Sequence, residues 1–262
     1  MDKNIKLKKE NGVAVVTLDN APMNVLSLTI AKELEDVIQQ IAVDPEVIVV
    51  IITGAGERAF SAGADIKQIP EWFKMSEEEL GNNVRKFHRM LSLIDNPPKP
   101  TIACLNGITF GGGCELALAC YIRIAEEHVK ISLPEIKLGL FPDWGGTQRL
   151  PRLIGEAKAK ELMFMGNTIT AETAERIGLV NQVVAKGEGL NMTTTMAQTM
   201  TGYSLQPLSR IKKAVNEGME KSFDEAIDLE VELFTEIFFR TEDVKEGVQA
   251  FIEKRKPEFK HR

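Results

Sequence analysis

Glu115 follows three glycines and a cysteine, Gly111-Gly112-Gly113-Cys114. Glycines let a backbone approach a ligand closely, and a helix start offers unpaired N–H groups at the positive end of its dipole. Such a place suits developing negative charge, and a carboxylate in the first turn is within reach of it as acid or base. A second reading also fits: the glycines permit tight helix–strand packing and Glu115 complements the dipole. Ala59-Phe60-Ser61-Ala62-Gly63-Ala64-Asp65 is another small-residue loop. It admits close backbone approach or plain packing, and Asp65 is placed to cap the next short helix. Leu133-Pro134-Glu135 puts a third candidate carboxylate at the end of a strand, behind a stiffening proline. A solvated loop glutamate is the alternative there.

The elements that must position these residues read as α/β. Lys6–Lys9 and Val13–Asp19 alternate as two strands about an Asn11-Gly12 turn. Ser27 caps a helix to about Val43, with Ile30, Leu34, Val37, Ile38 and Ile41 at helical spacing, ended by Asp44-Pro45. Val47–Thr53 is a β-branched run, expected to be a strand buried on both faces. A helix over Glu77–Ile94 stops at Asn96–Pro100, which holds three prolines. Thr101–Leu105, Ile122–Ala125, Val129–Ser132 and Val180–Val184 read as strands, and Cys114–Cys120 as a helix. From Thr147 the chain is mostly helical, while Gly187–Thr201, rich in Thr and Met, fits no pattern. Both small-residue loops follow buried strands, and ligands in α/β sheets sit beyond strand carboxyl ends. Two such loops can each offer one N–H to a single carbonyl oxygen, with carboxylates on either side.

Four motifs in order, AFSAGADI (Ala59–Ile66), NGITFGGGCE (Asn106–Glu115), LPEIKLG (Leu133–Gly139) and GGTQRL (Gly145–Leu150), resemble the enoyl-CoA hydratase/isomerase, or crotonase, family. The stretch Glu246–Arg255 resembles that family's closing helix. The resemblance implies a spiral of β-β-α turns over residues 1–200 and a C-terminal helical trimerisation region over 201–262. It implies a homo-oligomer, a trimer or dimer of trimers. It implies Ala62 and Gly112 as the two oxyanion-hole N–H donors, and Glu115 and Glu135 as the pair that adds water to a trans-2-enoyl thioester. Ala62–Ile66 (Gly63, Ala64 and Asp65 between them) and Gly112 would line the acyl-CoA arm, with Phe251 and Lys254 reaching a neighbouring subunit's ligand. Coenzyme A enters as part of the substrate, so no separate cofactor is implied. Two departures stand out: Asp143-Trp144 before Gly145-Gly146, and Tyr121 where the family usually has Asp. Asp143 adds a possible third acid/base, so enoyl-CoA isomerisation through Asp143 or Glu135 is the competing activity. A non-catalytic acyl-CoA binder on the same fold is the competing class. Trp144 is expected to narrow or reshape the acyl pocket, and Tyr121 to have a structural effect.

Composition narrows the rest. The 262 residues carry a net charge of −6, which disfavours nucleic acid as main partner. No apolar run is long enough for a membrane span. Cys104, Cys114 and Cys120 form no disulfide framework, and Met1–Asn4 lacks the layout of a secretion signal, so a cytoplasmic protein is expected. His88, His128 and His261 are scattered, so no metal site is expected. Gly54-Ala55-Gly56-Glu57-Arg58-Ala59 matches a dinucleotide pattern, but Phe60–Asp65 does not form the helix that pattern needs. No G-x-S-x-G elbow is present.

Overall fold

A computed structural model describes residues 4–96 and 98–262. Met1–Lys3, used in the reading of the N-terminus, and Pro97 of the proline break lie outside the described residues. The chain runs β1 (Ile5–Glu10), β2 (Val13–Leu18), α1 (Leu28–Val43), β3 (Val49–Gly54), β4 (Ala59–Ser61), α2 (Ile69–Trp72) and α3 (Glu77–Asp95). It continues β5 (Thr101–Leu105), β6 (Ile108–Phe110), α4 (Gly112–Ala119), β7 (Ile122–Glu126) and β8 (Lys130–Ser132). Then follow α5 (Gly146–Ile154), α6 (Glu156–Met165), β9 (Ile169–Thr170), α7 (Ala171–Arg176), β10 (Gln182–Val184) and α8 (Gly189–Thr201). Helices α9 (Leu205–Gly218), α10 (Phe223–Arg240) and α11 (Asp243–Glu253) close the chain.

The strands form two sheets, β1-β2-β3-β5-β7-β10 and β4-β6-β8-β9. Successive strands β3 to β8 go alternately to one sheet and the other, and β3/β5/β7 and β4/β6/β8 pair in parallel. Each turn of the chain therefore lays one strand on each sheet and returns through helix, which is the expected β-β-α spiral.

The centre of the larger sheet, β3 and β5, is buried on both faces, as their apolar runs demand. In β3 and β5, Val49, Ile51, Ile102 and Cys104 join the cluster under Ala197 of α8. Their neighbours Val50, Ile52, Ala103 and Leu105 face the opposite cluster with α1, α3 and α4. The period-two alternation thus separates two cores.

The Ser27 cap forms as expected, its side chain accepting the Ile30 N–H. Asp65 accepts the Lys67 N–H and opens a 3₁₀ turn, Ile66–Gln68. After Gly54–Ala59 comes β4, not a helix, so the dinucleotide pattern has no helix to complete it. Most of Gly187–Thr201 forms α8, from Gly189 on, in which Thr193, Thr195 and Thr199 return their hydroxyl hydrogens to carbonyls four residues back. Threonine weakens a helix intrinsically, and this one is held by packing on the sheet.

Candidate active site

Strands β4, β6 and β8 lie side by side and parallel, so the three loops that leave them emerge together. These are the loops beginning at Ala62, Gly111 and Leu133, the three segments singled out by residue type. The shortness of β4 and β6 hid them in the sequence. Close approach explains the glycines of α4. A methyl group on Gly113 would come 2.1 Å from the Ser61 carbonyl oxygen, and one on Gly112 would come 2.2 Å from Trp144 Cζ3. Gly63 backs onto the same spot, its own added methyl falling 2.7 Å from the Gly112 nitrogen.

The loops enclose a cavity of about 250 Å³. Ala62, Ala64, Ile66, Gly112, Glu115, Glu135, Asp143 and Trp144 all line it. Of the other positions carried over by resemblance, Gly63 and Asp65 are not among the lining residues, and their backbone groups bond to Leu26 instead. Phe251, 85% exposed, and Lys254, at the C-terminus of α11, do not line it.

The sequence-based donor at Ala62 needs correction. Its N–H already donates to the Met23 carbonyl at 2.9 Å. Two residues on, the Leu26 N–H donates to the Gly63 carbonyl and the Asp65 N–H to the Leu26 carbonyl. In a trans peptide the C=O and the following N–H point in opposite directions. The Gly63 carbonyl faces Leu26, so the Ala64 N–H faces away from it. The local sequence could not separate Ala62 from Ala64, because their N–H directions are decided by the segment Met23–Leu26, which meets Ala64 through a single bridge.

Glu115 is 2% exposed. Its Oε1 accepts the N–H of Trp144 at 2.8 Å and of Gly146 at 2.7 Å. Burial pushes its pKa up to about 8, helped by the charges of Glu135 and Asp143 and opposed by the two N–H bonds. Glu135 opens a 3₁₀ turn, Glu135–Leu138, rather than ending a strand: β8 stops three residues earlier. Burial raises its pKa to about 7, and its Oε2 is buried without a hydrogen-bond partner. Asp143 is also raised, by burial first. With both carboxyls raised by burial, the protonated and ionised forms of each are accessible near neutral pH.

One polar chain around the site left little sequence signal. Asn216 of α9 donates to the Tyr121 hydroxyl at 2.8 Å, which contacts Asp95 Oδ1 at 2.9 Å. Arg149 donates to Asp95 Oδ2 and, at 3.3 Å, to the Trp144 carbonyl. The Trp144 and Gly146 N–H groups of the same loop hold Glu115. Tyr121 is thus part of the scaffold behind the loop. Arg149 lay within GGTQRL, but its partners are 54 and 5 residues away. Among the described residues no His, Cys, Asp and Glu group is placed to hold a metal ion, and no helix is long and apolar enough to cross a membrane.

A two-sheet spiral with a carboxylate-walled cavity at the N-terminus of a buried helix defines the crotonase-like class of α/β proteins. The chain belongs to the enoyl-CoA hydratase/isomerase family, whose model matches residues 8–262. It is 44% identical over 261 residues to a short-chain-enoyl-CoA hydratase of Clostridium acetobutylicum, covering 99% of this chain and 98% of that one. It is 40% identical to a crotonyl-CoA hydratase of Syntrophomonas wolfei, covering 98% of each. A crystal structure of an enoyl-CoA hydratase from Bacillus anthracis superposes with a TM-score of 0.93 at 37% identity, covering 99% of this chain and all of that one.

Proposed function

We propose that the protein is an enoyl-CoA hydratase, adding water reversibly and syn to a trans-2-enoyl-CoA thioester to give a 3-hydroxyacyl-CoA. The observation that carries this reading is the pair of buried carboxyls, Glu115 and Glu135, on one cavity with the Gly112 amide. The thioester oxygen sits between the N–H groups of Gly112 and Ala64, which stabilise it as charge moves onto it; one such donor is typically worth about 10²–10³ in rate. Glu115, ionised and steadied by two N–H bonds, takes a proton from a water held between the carboxyls. That water's oxygen bonds to C3. Glu135 gives its proton to C2 and ends ionised. Dehydration starts from the other one-proton form, with the hydrogen on Glu115. Burial raises both groups, so both forms are accessible near neutral pH.

Asp143 supports a second activity. It lines the same cavity with a raised pKa, as a shuttle between C2 and C4 in enoyl-CoA isomerisation requires. Coenzyme A arrives and leaves with the substrate, so no separate cofactor takes part. Large apolar side chains stand exposed on α10, including Phe223, Val231, Phe234, Phe238 and Phe239, which supports assembly of several copies through the helices beyond residue 201. A trimer or dimer of trimers is our reading, with Phe251 and Lys254 then reaching a neighbour's ligand. Three buried free cysteines suit a cytoplasmic protein.

The test is hydration of crotonyl-CoA, followed by loss of its ultraviolet absorbance. A wild-type rate no greater than that of the Glu115→Gln, Glu135→Gln double variant would leave an acyl-CoA-binding protein without this activity. Incubation with a 3-enoyl-CoA tests the second activity: Asp143→Asn should abolish conversion while hydration persists.

A further inference from the structure

Exposed and buried side chains both line the cavity. Ile66, Leu138, Leu140 and Phe141 are exposed. Trp144 is 2% exposed, its ring lying over Gly112. Phe87 of α3 stacks on that indole, with centroids 3.9 Å apart and planes 9° from parallel. The indole therefore cannot swing away without unstacking from a buried ring. Its own backbone N–H is tied to Glu115, which fixes the Cα as well.

A thioester in this cavity has little choice of direction. Coenzyme A is bulky and highly charged and must lie on the exposed side, by Ile66, Leu138, Leu140 and Phe141. The carbonyl oxygen sits at Gly112 and Ala64, and C2 and C3 lie between the carboxyls. Whatever follows C3 then runs toward the buried side, where Trp144 stands. We infer that Trp144, backed by Phe87, is the stop that sets acyl chain length and restricts the enzyme to short 2-enoyl chains. This rests on the hydratase reading above. The residue combines two roles that a smaller side chain would separate: its main chain steadies Glu115, and its ring limits the tail.

The experiment compares kcat/KM for crotonyl-CoA, trans-2-hexenoyl-CoA and trans-2-octenoyl-CoA in wild type, Trp144→Phe and Trp144→Ala. The readout is the octenoyl-to-crotonyl ratio within each protein, which is unaffected by the fraction of active enzyme. Each methylene newly buried is worth about fourfold. Trp144→Ala should raise the hexenoyl-to-crotonyl ratio roughly fifteenfold and the octenoyl ratio further, with Trp144→Phe between. If Trp144→Ala hydrates none of the three, Trp144→Phe decides by the same ratio, for which a threefold rise suffices. The inference is overturned if wild type hydrates octenoyl-CoA as efficiently as crotonyl-CoA, or if no active variant shifts its ratio by threefold. Wild type that hydrates no chain length overturns the hydratase reading itself, whereas normal crotonyl-CoA hydration with an unmoved ratio overturns this inference alone.

Discussion

Glu115→Gln keeps the shape of the side chain and an oxygen to accept the Trp144 and Gly146 N–H bonds, but removes the charge. Burial has raised the carboxyl from 4.5 to about 8. The unfolded chain releases this proton near 4.5, while the folded one keeps it to about 8. Folding stability contributed by this group therefore falls as pH rises through that window, and the full cost is present above about pH 8. At about 1.4 kcal/mol per pKa unit, the ceiling is about 5 kcal/mol. The effective dielectric around buried charges is higher than that of dry protein, so the expected gain for the variant is roughly 2–3 kcal/mol at pH 9. At pH 4.5 the gain should nearly vanish. Denaturant unfolding of both proteins at fixed concentration across pH 4.5–9 measures it. The same substitution should lower crotonyl-CoA hydration by about 10²–10⁴, the usual worth of a placed acid or base. A stability difference that does not change between pH 4.5 and pH 9 would refute the reasoning, since a buried charge cannot be the cause of a pH-independent effect.

Three further outcomes are expected. The pH profile of kcat/KM should be a narrow bell, falling below about 7 as the last carboxylate is protonated and above about 8 as the last proton is lost; a flat profile from pH 6 to 9 would contradict two carboxyls raised by burial. Gly112→Ala should cost about 1–3 kcal/mol in unfolding free energy and most of the hydration rate, because its methyl meets Trp144 at 2.2 Å; full activity and an unchanged Tm would show that the ring is not held there. Tyr121→Phe should destabilise by about 1 kcal/mol through lost hydrogen bonds to Asp95 and Asn216, with KM for crotonyl-CoA within twofold of wild type; a large KM change would place Tyr121 in the site rather than behind it.

Local chemistry was enough to read much of this protein. A β-branched run such as Val47–Thr53 has few ways to be satisfied other than as a strand buried on both faces, and Ser27 announces its helix because its side chain bonds three residues away. The family motifs pointed to Gly112, Glu115 and Glu135, which the fold gathers on one cavity. Elements whose stability comes from elsewhere in the chain escaped. Helix α8 is Thr-rich and held by the sheet beneath it, and β4 and β6, three residues each, exist only as partners of one another and of β8.

Residue identities by themselves offered two glutamates and two small-residue loops as candidates for acid–base work beside a carbonyl oxygen. Tertiary structure alone decided that Ala62 spends its N–H on Met23 while Ala64 turns its own away from Leu26. It also raised the two carboxyls by burying them together, and set Trp144 against Phe87 on the cavity wall. Hydrogen-bond direction, desolvation and ring stacking each depend on groups tens of residues apart in sequence, where no local pattern records them.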